Sequence, residues 1–462
     1  MPDLRRQVLE SGKTVSRKAR SRIASGASSK ASSTTNSRAV SRTASRTVSR
    51  NASDEEEGNL SDGTTWRSNA DNCDNSTNSI DDILAAEDLD APPDVWKAQL
   101  ADRVAEIIDR KRSSNQGRSD ALAAYSYLLK AHYACEDIEH KVGELIPAII
   151  KSIKSETSER ETIMALKAIE MTVITTPSDL IYDAIVGPVK RIINDSKSLL
   201  SKVAAIHTLG TATFYGGASL DETQDVMDYF VEIVESDGLS IDAGDEASVV
   251  VAALEEWGFL ATQLDDLEDV TEAAMEAFVE QLDSADLTVQ IAAGENIALL
   301  YEKSCTEIED DEEPSSDEEV EDPDATPGAP KMIKRYTVYR REDQLLHKLE
   351  ALATLNGAEI GRVAKKDRSR MRSSFADILN SVEHPTRGPR YSTAWDPEKE
   401  RAYGSRMTIK INRTGEMRID KWWKLFRLSA LRRALQGGFV THYENNEVVF
   451  DSLPTMITRK AW

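Results

Sequence analysis

Five cations fall within eight residues where the chain reads Lys365-Lys366-Asp367-Arg368-Ser369-Arg370-Met371-Arg372. Ammonium and guanidinium groups at that density neutralise phosphates along a nucleic-acid backbone, and the counterions released on contact supply much of the affinity. A second basic run follows, in which Lys421, Lys424, Arg427, Arg432 and Arg433 are interleaved with Trp422, Leu425, Phe426, Leu428, Leu431 and Leu435. Aromatic side chains among basic ones fit RNA better than duplex DNA, because unpaired bases stack on rings. The bland alternatives are a solvated basic helix face and aromatics that pack a core.

A different chemistry is written in the N-terminal tail. Arg38, Arg42, Arg46 and Arg50 recur every four residues, each followed three positions later by Ser41, Ser45, Ser49 or Ser53. A basophilic kinase could use each unit, and each phosphate would bring about −1.5 to −2 charges, enough in total to reverse the sign of the tail. Ser315 and Ser316 precede Asp317, Glu318 and Glu319 and suit an acidophilic kinase instead. Catalytic motifs are missing from the sequence: there is no glycine-rich phosphate loop, no Gly-x-Ser-x-Gly elbow and no His-Glu-x-x-His. Cys73, Cys135 and Cys305 are far apart, with no Cys-x-x-Cys spacing, so neither a zinc site nor a disulfide framework is expected. The expectation is a protein without catalytic residues, cofactor, metal or small-molecule substrate.

Charge divides the chain. Residues 1–50 carry roughly +10, residues 51–330 roughly −45 and residues 331–462 roughly +12, an asymmetry that places polyanion contact at the ends rather than the middle. No apolar run approaches the ~18 residues a membrane helix needs, and no secretory leader is legible. An intracellular, cytoplasmic protein with no membrane partner is expected, with the nucleus as a second location.

The elements that must position the basic runs are mostly helical. Residues 1–90 read as a disordered Ser/Arg-rich and then acidic tail. From 91 to 305, apolar residues recur at helical spacing, as in Val142, Leu145, Ile146, Ile149, Ile150 and Ile153. Equivalent helices begin at Arg118, Glu159, Leu199 and Glu246, the period of HEAT or armadillo pairs, which predicts a solenoid whose concave groove could hold a protein partner. Pro147 is placed between helices, and Trp257 and Phe259 are placed in the core. Residues 306–330 form a flexible acidic linker in this reading, and residues 331–462 a small basic α+β domain. In that domain Thr408–Asn412 and Met417–Ile419 form a hairpin, Asp420 caps a helix that shows one apolar and one cationic face, and Val448–Phe450 is a strand. The fold class is thus mainly α: a helical-repeat solenoid with an α+β C-terminal domain and a disordered N-terminal tail.

Several of these segments resemble the interferon-related developmental regulator family. They are Ala292-Ala293-Gly294-Glu295-Asn296 through Tyr301-Glu302, Lys365 through Phe375, Ile419-Asp420-Lys421-Trp422 and His442 through Glu447. The resemblance covers about residues 90–460. It implies an armadillo-like domain followed by a C-terminal domain and a factor that binds translationally inactive ribosomes. The basic part would reach into the mRNA and tRNA path, with rRNA and tRNA as partners. It also implies the alternative of a nuclear transcriptional co-regulator that binds proteins through its repeats.

Overall fold

The computed structural model describes residues 95–110, 113–178, 181–308, 319–320, 331–354, 365–396, 401–411, 415–454 and 457–459. The expected tail 1–90 and the phosphoacceptors Ser41, Ser45, Ser49, Ser53, Ser315 and Ser316 lie outside the described residues. Helices alternate between an outer and an inner row. The outer row is α1 (Val95–Ile108), α3 (Val142–Ser155), α5 (Ile181–Asp195), α7 (Leu220–Glu235) and α9 (Glu268–Gln281). The inner row is α2 (Asn115–Ala131), α4 (Glu159–Thr175), α6 (Leu199–Tyr215), α8 (Ala247–Ala261) and α10 (Leu287–Lys303). Several begin on a side-chain cap. Ser114 accepts from the Gly117 amide, Ser198 from that of Ser201, and Ser219 forms a reciprocal box with Glu222. The expected repeat starts are thus observed to within a few residues.

The two rows differ in kind. Outer helices bury one stripe, as α3 does with Leu145, Ile146, Ile149, Ile150 and Ile153. Inner helices are buried nearly all round; in α4 this holds from Glu161 to Thr175 with the single exception of Lys167. A helix apolar on all sides needs neighbours on all sides. Adjacent inner helices and the outer row supply some of these, and the C-terminal segment supplies the rest. Trp257 and Phe259 are core residues, the first edge-on to Phe278 at 4.8 Å and the second stacked on Phe214 at 4.2 Å. Pro147 sits inside α3 rather than between helices, a break in the ladder that an outer helix tolerates by bending.

After α10 the chain enters β1 (Cys305–Glu307), which pairs with β3 (Met332–Lys334); β2 (Glu319–Val320) pairs with the other edge of β3. The two ends of the acidic stretch, expected as a free hinge, are therefore tied into one small antiparallel sheet. Next come α11 (Glu342–Thr354) and α12 (Lys365–Glu383), a hairpin of β4 (Tyr391–Asp396) and β5 (Arg401–Ser405), and a sheet of β6 (Met407–Lys410), β7 (Gly415–Ile419) and β8 (Ile457–Arg459). The β6–β7 hairpin has the expected place, with Met407 opposite Ile419. Then follow α13 (Trp422–Leu435), α14 (Phe439–Asn445) and α15 (Glu447–Ser452). The last of these overturns the expected strand at Val448–Phe450: the Asn446 side-chain Oδ1 accepts from the Val448 amide, opening a helical turn that buries Val449.

The C-terminal helices do not form a separate body. α13 lies across α8, α10 and α4, and α12 lies on α10, and all the described residues belong to one compact unit. Two glycines of the inner row make the approach feasible. A Cβ on Gly258 would stand 2.1 Å from the Phe426 ring, and one on Gly294 would stand 2.7 Å from Ile378. Replacing Gly258 with valine should therefore lift α13, at the ~1–3 kcal/mol typical of overpacking. The expected outcome is a lowered urea midpoint with faster hydrogen exchange in 422–452 and unchanged exchange in α5; equal protection of 422–452 in the variant would refute the docking.

Candidate nucleic-acid interface

α12 is anchored by one stripe and open on the other. Met371, Phe375, Ile378 and Val382 recur at helical spacing and are buried, with Phe375 and Ile378 against Gly294. Around the rest of the first three turns Asp367, Ser369, Arg370, Arg372 and Ser373 are exposed and Arg368 is half-buried. Lys365 and Lys366 open the helix.

The second basic run is used differently, and here the structure corrects the expectation of an open cationic face. Arg433 is wedged between Glu255, at 3.1 Å, and the fully buried Glu256. Arg427 donates through Nε to Thr262 Oγ1, through Nη2 to the Thr262 carbonyl and through Nη1 to the Ser452 carbonyl, each at 2.8 Å. It also lies over the rings of Phe214 and Trp423. Lys424 binds Asp420 at 2.6 Å, Lys421 reaches the Thr386 carbonyl at 3.3 Å, and half-buried Arg432 lies over Phe439. The physical reason is that α13 packs on more than one side. The inner row takes one face and α14, α15 and the end of α12 cover others, so its cations have become internal donors.

The start of α13 is held by a residue that charge and periodicity did not single out. Glu302, buried at the end of α10, accepts from the amides of Trp422 (2.8 Å) and Trp423 (3.1 Å). A carboxylate from one element thus caps the N-terminus of another, satisfying two orphan donors and the positive end of the dipole together. Burial raises the Glu302 carboxyl above its ordinary range, while Lys421 and the two amides pull it back. The signal in the sequence was a glutamate closing the apolar run 297–301. Further along, Asn446 donates to the Ile174 carbonyl (2.9 Å), His442 Nε2 meets the Leu129 carbonyl (2.7 Å), and Tyr215 donates to Ser452 (3.0 Å).

Several titratable groups are caught between the layers. Burial pushes Glu295 up to about 8, assisted by Glu255 and Asp377 and opposed by Arg370. It likewise pushes Asp377 up to about 6, against Arg390. His207 is pushed down to about 3 by burial and by Arg433, so the ring is neutral, with Nδ1 hydrogen-bonded to Glu256 at 2.8 Å. Among the described residues, no group of His, Cys, Asp and Glu could hold a metal ion and no helix is long and apolar enough to cross a membrane.

Comparison with known proteins gives this arrangement a lineage. The interferon-related developmental regulator profile matches residues 65–383. The chain belongs to that family. In this interferon-related developmental regulator the match ends at the last residue of α12, so it takes in the repeats and the basic helix, while the resembling segments at 419–422 and 442–447 lie beyond it. An uncharacterized protein of Schizosaccharomyces pombe is 25% identical over 359 residues, covering 77% of this chain and 73% of the relative.

Two outcomes follow for the layered contact of this family member. Exchanging Glu302 for leucine strands the first amides of α13 and should destabilise the protein by about 1–3 kcal/mol, read as a urea midpoint, with glutamine intermediate; no change would remove the cap from the account. A glutamate raised to about 8 in the folded protein from ~4.3 unfolded gives stability that is complete below pH 4 and lost as pH rises toward 8. The thermal midpoint should fall between pH 5 and pH 8, and Glu295→Gln should flatten that fall; an identical pH profile in the variant would exclude Glu295 as its source.

Proposed function

We propose that this protein binds ribosomes that are not translating and represses translation by occupying the mRNA and tRNA path, with α12 holding rRNA phosphates. The observation that carries the reading is the geometry of α12: a cationic edge at Arg370 and Arg372, fixed to the repeats by Met371, Phe375, Ile378 and Val382. A flexible basic tail would lose chain entropy on binding, whereas a seated helix presents its charges already ordered. Family membership supports the reading, since the resemblance implies a ribosomal partner. Occupancy alone excludes mRNA, so no catalytic residue is required, and the cytoplasm is the compartment in which it would act. The co-regulator alternative needs an open repeat groove for a protein partner, and α13 to α15 cover the inner row along much of its length.

The cations assigned to RNA in this reading are those of 365–372 rather than those of 421–433. Neutralising Lys365, Lys366, Arg368, Arg370 and Arg372 together should abolish co-sedimentation with monosomes while leaving the circular dichroism and thermal midpoint near those of the parent. Binding by the parent should weaken steeply with salt, with a log–log slope of roughly 0.7–0.9 per phosphate contacted. Undiminished ribosome association of the five-fold variant would overturn the proposal.

A further inference from the structure

The hairpin β4–β5 carries the most exposed large ring among the described residues. Trp395 is 62% exposed and Tyr403 is 42% exposed. The strands pair Tyr391 with Ser405 and Ser392 with Gly404, then Trp395 with Ala402, so Thr393 and Ala394 bulge opposite Tyr403. Trp395 shares a face with its partner Ala402, so Tyr403, the next residue of β5, projects from the opposite face and the two rings stand on either side of the ribbon. Burying a large aromatic is strongly favourable, so two left in water on one short ribbon mark a contact surface rather than a packing failure.

The base of the ribbon is held firmly. Arg418 of β7 donates from Nε to the Ser405 carbonyl (2.8 Å) and from Nη2 to the Tyr403 carbonyl (3.0 Å), straddling Gly404. Gly404 has φ +67°, and a Cβ there would meet the Arg418 guanidinium at 2.9 Å. Ser405 Oγ is buried within 2.7 Å of the Pro389 and Ile419 carbonyls. The rings are therefore presented on a braced support.

The charge around them selects the partner. Among the described side chains of this region Arg390 and Arg406 are exposed, whereas Arg387 lies over Tyr391 and Arg418 is engaged with backbone carbonyls. Exposed Arg406 lies with its guanidinium 4.7 Å from the Tyr403 ring centroid, and exposed Arg390 lies close enough to Asp377 to oppose the rise of its carboxyl. A guanidinium stacked on one ring keeps its N–H edge for phosphate oxygens. Ring faces beside such edges match an unpaired nucleotide, which needs one surface for its base and a cation for its phosphate. An acidic peptide would use the cations and waste the rings; a duplex would offer no free base faces.

We propose that the β4–β5 hairpin is a stacking element for single-stranded RNA, in which Trp395 on one face and Tyr403 on the other each take a base and Arg406, beside Tyr403, takes backbone phosphate. This rests on the RNA-binding reading above and adds to it a preference for unpaired RNA at a surface distinct from α12. The test uses the full chain, a fluorescein-labelled unstructured RNA and a duplex RNA of the same length. Stacking contributes about 1–3 kcal/mol per base, so Trp395→Ala with Tyr403→Ala should weaken single-strand binding by tenfold or more. Duplex binding should stay within about twofold, and phenylalanine at both positions should retain most of the affinity. Equal single-strand affinity of the parent and the alanine pair would overturn the proposal, as would an equal loss on duplex. So would loss of ribosome co-sedimentation with single-strand binding intact, which would assign the hairpin to a ribosomal protein. If instead the 365–372 variant keeps its ribosomes while the alanine pair loses single-strand RNA, the role of α12 falls and that of the hairpin stands.

Discussion

The seating of α13 on the inner row is the contact on which the rest of this structure depends. Inner helices buried on every side cannot exist at the surface of a two-layer solenoid, so a third layer is a requirement of their composition. Apolar burial alone would let that layer slide. Its register is set by polar groups that must find partners in a dry environment: Glu302 at the first amides of α13, Arg427 at Thr262, Arg433 at Glu255 and Glu256, Asn446 at the Ile174 carbonyl. Breaking any of these strands a buried group, which costs more than the intact contact contributes. The contacts run from α10 back to α4, so they fix the C-terminal segment along the array rather than at one point.

This layer also sorts the positive charge. The chain as a whole is strongly acidic at net −23, and the cations of α13 are spent on carbonyls, carboxylates and rings within the protein. Exposed cations are found on the edge of α12, beside the β4–β5 hairpin at Arg390 and Arg406, and at Lys331, Arg335, Arg340 and Arg341. Acidic flanks repel a polyanion from elsewhere on the molecule, and the focused positive field is left at the C-terminal layer.

How much of this was legible in the sequence depended on range. The repeats were, because apolar residues three and four apart report a helix face locally and the recurrence of such faces from Arg118 to Glu246 reports the repeat. The β6–β7 hairpin was, through alternation around Arg413-Thr414-Gly415. Val448 to Phe450 was misread because three apolar residues fit a strand or a helical turn equally, and the cap at Asn446 decided between them. Arg427 and Arg433 were misread because a charged stripe opposite an apolar one normally faces water; that rule fails for a helix packed on several sides. Glu302 and Gly258 carried the docking, but their meaning lies in residues more than a hundred positions away, which spacing along the chain cannot encode.

Repeat arrays ordinarily keep a concave face open for a partner. Here the chain brings its own occupant, and the consequence is mechanical. With both ends of the acidic stretch tied into β1–β3–β2 and α12 and α13 bonded to the repeats, the exposed cations cannot be redirected independently of the array. The placement of Arg370 and Arg372 is thus a property of α10 and Gly294 as much as of α12 itself. An apolar inner row left uncovered would be an aggregation liability, so folding of the repeats and presentation of the basic edge are achieved by the same contact. The array serves as the mount for the C-terminal layer, and the exposed edge of α12 is carried in the position that the mount dictates.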